Sequence, residues 1–437
     1  MQDQDQASLK REIGTTSLAL NAVNIIIGGG IFILPAVAAQ NLGSLAFIAY
    51  LICGLLIVLI MLCYAEVGSK VTVSGGSAAY VEKAFGPFPG FLINTLFWFA
   101  YSLLSDAALI NVMADMLAVW FPVFSAFYVR LIFFIVVFGI LALINIRGVK
   151  SGARFNNAVT LMKLAPLLLL VMIGFFFISP SNLSISSMPD IQSIGDTCLL
   201  LFFIFIGGET ALNMSGEIKN PQRTIPRGIL LGVAGIVVIY LLTQFVAQGV
   251  LGNELALNKT APISEVATRL VGPIGGTIIL VATIVSAFGL LSGDMLLEPR
   301  LIFAASRNKQ LPDFLGKIHP RFASPYWAII VYALFAIIFS STGGFEQLAT
   351  LVSSASLIIY LAVVLAMIRL RFNKNDELQG GFKVPFGLTI PILAIIVIGW
   401  LLLQVTIKEF RAMAIFFAIL TVYYFINKAV RRKQIAG

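Results

Sequence analysis

Charge is what this sequence has least of. Asp, Glu, Lys and Arg make up 11% of its 437 residues, against 59% hydrophobic residues. A soluble domain carries about 25% charged residues. A surface built from this chain cannot all face water, which excludes an ordinary soluble protein. The mean hydropathy of +0.98 points to the membrane class. Histidine is scarcer still: His319, in the polar loop Gly316–Ser324, is the only one. The sequence has no histidine cluster, no G-x-S-x-G and no Walker phosphate loop. Neither an intramembrane enzyme nor an ATP-driven pump has support, and no cofactor or metal is expected. The three cysteines, Cys53, Cys63 and Cys198, all lie in apolar stretches. They give no disulfide framework and no metal spacing, and they read as small buried hydrophobes. No long polar stretch interrupts the chain, so residues 1–437 form a single transmembrane domain with no soluble one.

What is present is a series of apolar stretches, each long enough to cross a hydrocarbon core of about 30 Å, and about twelve are expected on length. They run over Thr16–Gln40, Gly43–Val67, Phe88–Phe121, Ala126–Ile146, Asn156–Ile178, Ile194–Met214, Arg227–Leu251, Pro273–Ala305, Pro325–Ser341, Phe345–Leu370, Val384–Leu403 and Phe410–Ile426. The first is too long and too interrupted for a cleavable signal, and no A-x-A-like site follows it. The fold class is therefore an all-α integral membrane protein.

The net charge of +9 invites a nucleic-acid reading, which the placement of the charges removes. With the N-terminus inside, 23 of the 29 Lys and Arg fall on the inner side or the inner helix ends and 5 fall outside. Lys10, Arg11, Lys150, Arg154, Lys374, Arg431, Arg432 and Lys433 are among the inner set. This is the positive-inside asymmetry. It predicts a multi-pass protein of the cell membrane with both termini cytoplasmic, partnered by the lipid bilayer and by no nucleic acid.

Two spans carry the residues most able to break them. Gly28-Gly29-Gly30 interrupts the first, and Gly207-Gly208, followed at once by Glu209, interrupts the sixth. If five spans form one repeat and five the next, these positions correspond. Paired glycine breaks at equivalent places are the best sequence pointer to a transporter's midplane site. A break at bilayer depth bares N–H and C=O groups that lipid cannot satisfy, so it survives where it lines a polar cavity. The resumed half-helix offers amide donors and a positive dipole end to a carboxylate. The preceding half-helix offers free carbonyls to an ammonium or a cation. Two such breaks side by side suit a zwitterion.

At these residues the sequence resembles a known family. IIGGGIF (Ile26–Phe32), FFIFIGGE (Phe202–Glu209), GEIKNPQRTIPRGI (Gly216–Ile229), EPRLIFAASRNKQLP (Glu298–Pro312) and GFKVPFG (Gly381–Gly387) follow the order seen in the amino acid–polyamine–organocation superfamily. The resemblance spans nearly the whole chain. It implies a LeuT-like fold of five-plus-five inverted repeats, about 13–178 and 193–371, with helices 1 and 6 discontinuous and two further helices at about 384–427. It also implies secondary transport of amino acids or related amines, with no enzymatic role. Carried over by position, the amides of Gly28, Gly29 and Gly30 would bind the substrate carboxylate. The carbonyls of Ile26, Phe203 and Ile206 would take the α-ammonium. Phe203 or Phe205 would gate the site. The family often has Ser or Thr where Gly29 stands, so here the backbone would act alone.

Charges within spans are functional candidates by default. Glu209 faces the substrate amine, carries a proton, or caps the resumed half-helix. Lys163 aligns with a lysine of the proton-coupled branch, where the amine replaces a structural sodium ion beside the first break. That implies sodium-independent operation, by proton symport or by exchange. Asp294 and Glu298 lie four residues apart, on one helical face. Asp294 would border the substrate side-chain pocket, and Glu298 is expected to pair with Arg300 or Arg307. Tyr101, Leu104, Ser105 and Asp106 would flank the same pocket. Glu66 is expected at a solvated or paired helix end. An amine or polyamine antiporter or exporter, and a membrane amino-acid sensor that does not translocate, remain alternatives. The sequence leaves monomer and dimer open.

Overall fold

The computed structural model describes residues 13–71, 75–147, 153–185, 188–372 and 381–436, with the backbone alone at 153–160, 213–217 and 431–436. Lys10, Arg11, Lys150 and Lys374 lie outside the described residues, as do the side chains of Arg154, Asn156, Asn157, Gly216–Glu217, Arg431, Arg432 and Lys433.

Helices carry nearly all of the described chain. In order they are α1 (Thr15–Ile26), α2 (Leu34–Leu42), α3 (Ala46–Lys70), α4 (Gly76–Phe85), α5 (Pro87–Leu96), α6 (Leu104–Trp120), α7 (Phe127–Arg147) and α8 (Ala153–Gly174). There follow α9 (Ile191–Leu201), α10 (Pro221–Leu251), α11 (Pro262–Val271), α12 (Pro273–Arg307), α13 (Tyr326–Ser340), α14 (Phe345–Arg371), α15 (Thr389–Leu402) and α16 (Ile407–Ala436). No strand occurs among the described residues, only one parallel bridge between Ile13 and Ile218.

Eight helical stretches are long and apolar enough to cross a membrane, and four shorter apolar helices accompany them. Together they occupy the twelve stretches read from the sequence. Outward faces carry large apolar side chains: Ile132, Leu143, Leu169, Leu231, Ile278, Leu334 and Ile419 are all exposed. Lipid is the solvent that makes such a surface stable. Helix α16 lies at the rim, where Tyr423 and Tyr424 pack on Phe91 of α5.

Three spans depart from plain α-helix. The first breaks after Ile26 and resumes through a 3₁₀ turn, Gly30–Phe32, into α2, with Pro35 in its opening turn. The third contains a π-helical turn, Phe97–Leu103, between α5 and α6. The sixth passes from α9 through a 3₁₀ turn, Phe202–Phe205, to Gly207 at φ +119°, and continues as a 3₁₀ helix, Gly208–Glu217. That φ is open to glycine and strained for other residues.

One end of the bundle is clasped by charge. Glu66, its side chain 1% exposed, accepts from Lys70 Nζ at 2.9 Å, from Arg371 Nε at 2.9 Å and from the Val384 amide at 2.8 Å; Arg371 Nη2 bonds its second oxygen. The Phe382 amide donates to Ser69 Oγ at 3.0 Å. The end of α3 is thus paired and buried, not solvated, and the GFKVPFG segment ties it to α14.

Candidate functional site

The two breaks meet. A Cβ built on Gly30 would lie 2.7 Å from Ile204 Cγ2 and 3.2 Å from the Phe203 ring. From the other side, a Cβ on Gly207 would lie 3.1 Å from Ile25, and one on Gly208 would lie 3.2 Å from Ile26. An added side chain would clash at Gly30, and at Gly207 and Gly208 the isoleucines of α1 would have to give way. Gly28 is roofed by Leu290 of α12, whose Cδ1 would sit 2.9 Å from an added Cβ.

The polarity of the first break follows from where α1 stops. Ile27 is extended, so the carbonyls of the last turn lose their helical donors. Side chains from three other helices take them up. Lys163 Nζ of α8 donates to Asn24 O and, at 2.9 Å, to Ile27 O. Tyr240 of α10 donates to Ile26 O at 3.2 Å, and Ser286 of α12 to Ile27 O at 3.3 Å. Lys163 is 1% exposed, with Pro166 one turn beyond it in α8. The buried ammonium therefore sits against the negative end of α1's dipole. On the resuming side, among the described residues, the amides of Gly28, Gly29 and Gly30 enter no backbone hydrogen bond.

At the second break, no backbone amide among the described residues donates to Phe203 O or Ile206 O. Glu209 is 2% exposed and turns back to accept from the Gly207 amide at 3.2 Å. The hydroxyls of Tyr360 and Tyr101 face its carboxylate. Tyr101 is held in the π-helical turn by stacking on Phe97, with ring centroids 4.7 Å apart. Phe203 covers Gly30 and packs edge-on against Phe345 at 5.5 Å. Phe205 points away, into Tyr240 at 5.3 Å and Tyr50 at 6.3 Å. It is a core residue, and of the two phenylalanines only Phe203 stands over the glycines.

The structure thus brings Ile26, Gly28, Gly29, Gly30, Phe203, Ile206, Glu209 and Tyr101 to one place, with Lys163 behind the first break. Asp294 stands one turn along α12 from Leu290 and is part-exposed, as is Ser105 on α6. The expected pairing of Glu298 with Arg300 or Arg307 does not occur among the described residues. Arg300, two positions on, projects from another helical face and donates to Leu296 O, while Glu298 turns inward toward Ser102. Tyr240 and Ser286 escaped the sequence reading, because nothing in an apolar run marks which hydroxyl reaches a distant carbonyl. An open cleft lies elsewhere, lined by Lys259, Thr260, Ser264 and Thr268 at the α11 end of α12.

Known proteins resemble this chain over most of its length. The sequence model of the amino acid permease family matches residues 13–430. The chain is 31% identical to the serine/threonine exchanger SteT of Bacillus subtilis (strain 168), over 96% of this chain and 98% of that one. It is 30% identical to the methylthioribose transporter of the same organism, covering 96% and 94%. It is 28% identical to the b(0,+)-type amino acid transporter 1 of Mus musculus, covering 92% and 84%. With a family match over nearly its full length and crossed glycine breaks at its centre, the chain belongs to the amino acid permease family of the amino acid–polyamine–organocation superfamily, a family of membrane transporters.

Proposed function

We propose that the protein is a sodium-independent secondary carrier of amino acids in the cell membrane, working by proton symport or by substrate exchange. The observation that carries this reading is Lys163. Its ammonium sits on the carbonyls that end α1, Asn24 O and Ile27 O, where a fixed cation would otherwise hold the break. Beside it, the amides of Gly28–Gly30 are the donors for the substrate carboxylate, and Ile26 O, Phe203 O and Ile206 O are the acceptors for its α-ammonium. Ile26 O already accepts from Tyr240, but a carbonyl has two lone pairs and can take a second donor. Glu209 and Lys163 are the coupling residues, and Tyr101, Ser105 and Asp294 border the side-chain pocket.

Both termini are cytoplasmic in this reading. Alternating access is a rocking of the broken first span, α3, the broken sixth span and α10 against the rest of two repeats, about 13–178 and 193–371. Relatives named as an amino-acid exchanger and as an amino-acid transporter favour this substrate class. A second reading, an amine or polyamine exchanger, draws on Asp294 beside the pocket. One assay separates the readings: purified protein in liposomes preloaded with one amino acid and challenged with labelled amino acids or amines, with sodium replaced by choline. Amino-acid uptake that persists in choline supports the proposal. Uptake of amines alone, or a strict sodium requirement, refutes it.

A further inference from the structure

Three carboxyl groups converge beside the first break, one on α6 and two on successive turns of α12. Asp106 of α6 is fully buried, Glu298 of α12 is 5% exposed, and part-exposed Asp294 stands one turn before Glu298. Asp106 Oδ2 accepts from Tyr332 of α13 at 2.8 Å, while its Oδ1 has no partner, and Glu298 Oε2 has none either. Asp294 stands near enough to Asp106 for their charges to interact, and Ser102 lies beside Glu298. Neighbouring acids whose buried oxygens find no donor favour holding protons, because an ionised carboxylate can only accept hydrogen bonds.

The groups facing this cluster are otherwise hydroxyls. The π-helical turn brings Tyr101 and Ser102, and α13 brings Tyr332. From α8 the basic group is Lys163, engaged on the carbonyls of α1. Helix α11 brings Glu265 and Arg269 to the opposite end of α12, and Arg147 of α7 is exposed. The 3₁₀ turn Asp313–Gly316 brings Asp313, paired with Lys309 beyond the end of α12. No described cation faces the three acids. In a low-dielectric interior such a group of like charges cannot all be ionised.

The cluster also touches the transport site. Ser286, Leu290, Asp294 and Glu298 mark successive turns of α12: Ser286 bonds Ile27 O, Leu290 roofs Gly28, and the acids follow. Tyr101 lies near Glu209 as well as near Asp294 and Glu298.

We infer that Asp106, Asp294 and Glu298 form a proton-binding site of the carrier, separate from Lys163, in which shared protons are taken up and released as access alternates. This rests on the transport reading above and deepens it: the ligand is the proton, and the acids, not the lysine alone, hold it.

The test uses the full-length protein in lipid, wild type and Asp106→Asn, Asp294→Asn and Glu298→Gln. Infrared difference spectra at pH 7 report the carbonyl stretch of protonated carboxylic acids. Each of Asp294→Asn and Glu298→Gln is expected to lose part of that band. In liposomes, single-proton binding makes wild-type uptake fall by up to about tenfold per pH unit on its alkaline limb; in Glu298→Gln the same limb flattens to less than about twofold. A band unchanged in both variants, or a wild-type pH limb in Glu298→Gln, overturns the inference. If the wild type takes up no amino acid, the transport reading fails, while the infrared spectra still decide whether the carboxyls hold protons.

Discussion

Replacing Lys163 by methionine keeps the length and apolar stem of the side chain and removes only its charged donors. In the folded protein this residue is 1% exposed and bonds Asn24 O and Ile27 O. Ile27 O keeps the Ser286 hydroxyl at 3.3 Å, whereas Asn24 O loses the ammonium donor. α1 has already ended, so no continuing helix supplies an amide in its place. A hydrogen bond from a charged donor contributes about 1.5–3 kcal/mol. If the ordered break is what grips the amino acid, the loss appears as roughly 10- to 150-fold weaker binding. The assay is equilibrium binding of a labelled amino acid to purified protein, with uptake into liposomes measured at two pH values. Wild-type affinity together with a wild-type pH response in Lys163→Met would refute the reasoning.

Three further outcomes follow from the geometry. Gly30→Ala places a Cβ 2.7 Å from Ile204, and overpacking of about 1–3 kcal/mol should weaken substrate binding, whereas Gly14→Ala, with open space around it, should bind normally. Arg371→Met removes the guanidinium bonds to Glu66 but leaves Lys70 and the Val384 amide; losing a charged hydrogen bond costs about 1.5–3 kcal/mol, so the melting temperature in detergent should drop, and an unchanged value would show the Arg371 bonds to be dispensable. At the start of α9, Ser193, through its hydroxyl and its amide, holds the Asp190 carboxylate below the usual range. A depressed carboxylate stabilises the fold above its unfolded value and ceases to do so as pH falls through the lowered one. The gap in melting temperature between wild type and Asp190→Ala should therefore be present at neutral pH and close in strong acid.

Much of the fold was legible because membranes are a severe solvent. Length and hydropathy alone placed the twelve stretches. The glycines of the first and sixth spans announced their breaks, because glycine is conspicuous in an apolar helix. Lys163 and Glu209 stood out for the same reason, as ionisable groups at bilayer depth. What stayed hidden depends on helix phase. Nothing in FWFAYSL signals a π-helical turn, yet that turn aims Tyr101 at Glu209. Pairing Glu298 with Arg300 overlooked that residues two apart diverge around a helix. The meeting of Asp106 with Asp294 and Glu298 requires knowing how α6 and α12 are rotated against each other. Phe203 and Phe205 are equivalent in composition, and the backbone at the break decides that one covers Gly30 while the other fills the core.

The most direct measurement is a density map of the protein in lipid with an amino acid bound. The account predicts the ligand's carboxylate within hydrogen-bonding distance of the Gly28–Gly30 amides, with its ammonium toward Ile206 O. A ligand seated away from both interruptions, or amides turned from its carboxylate, would contradict it.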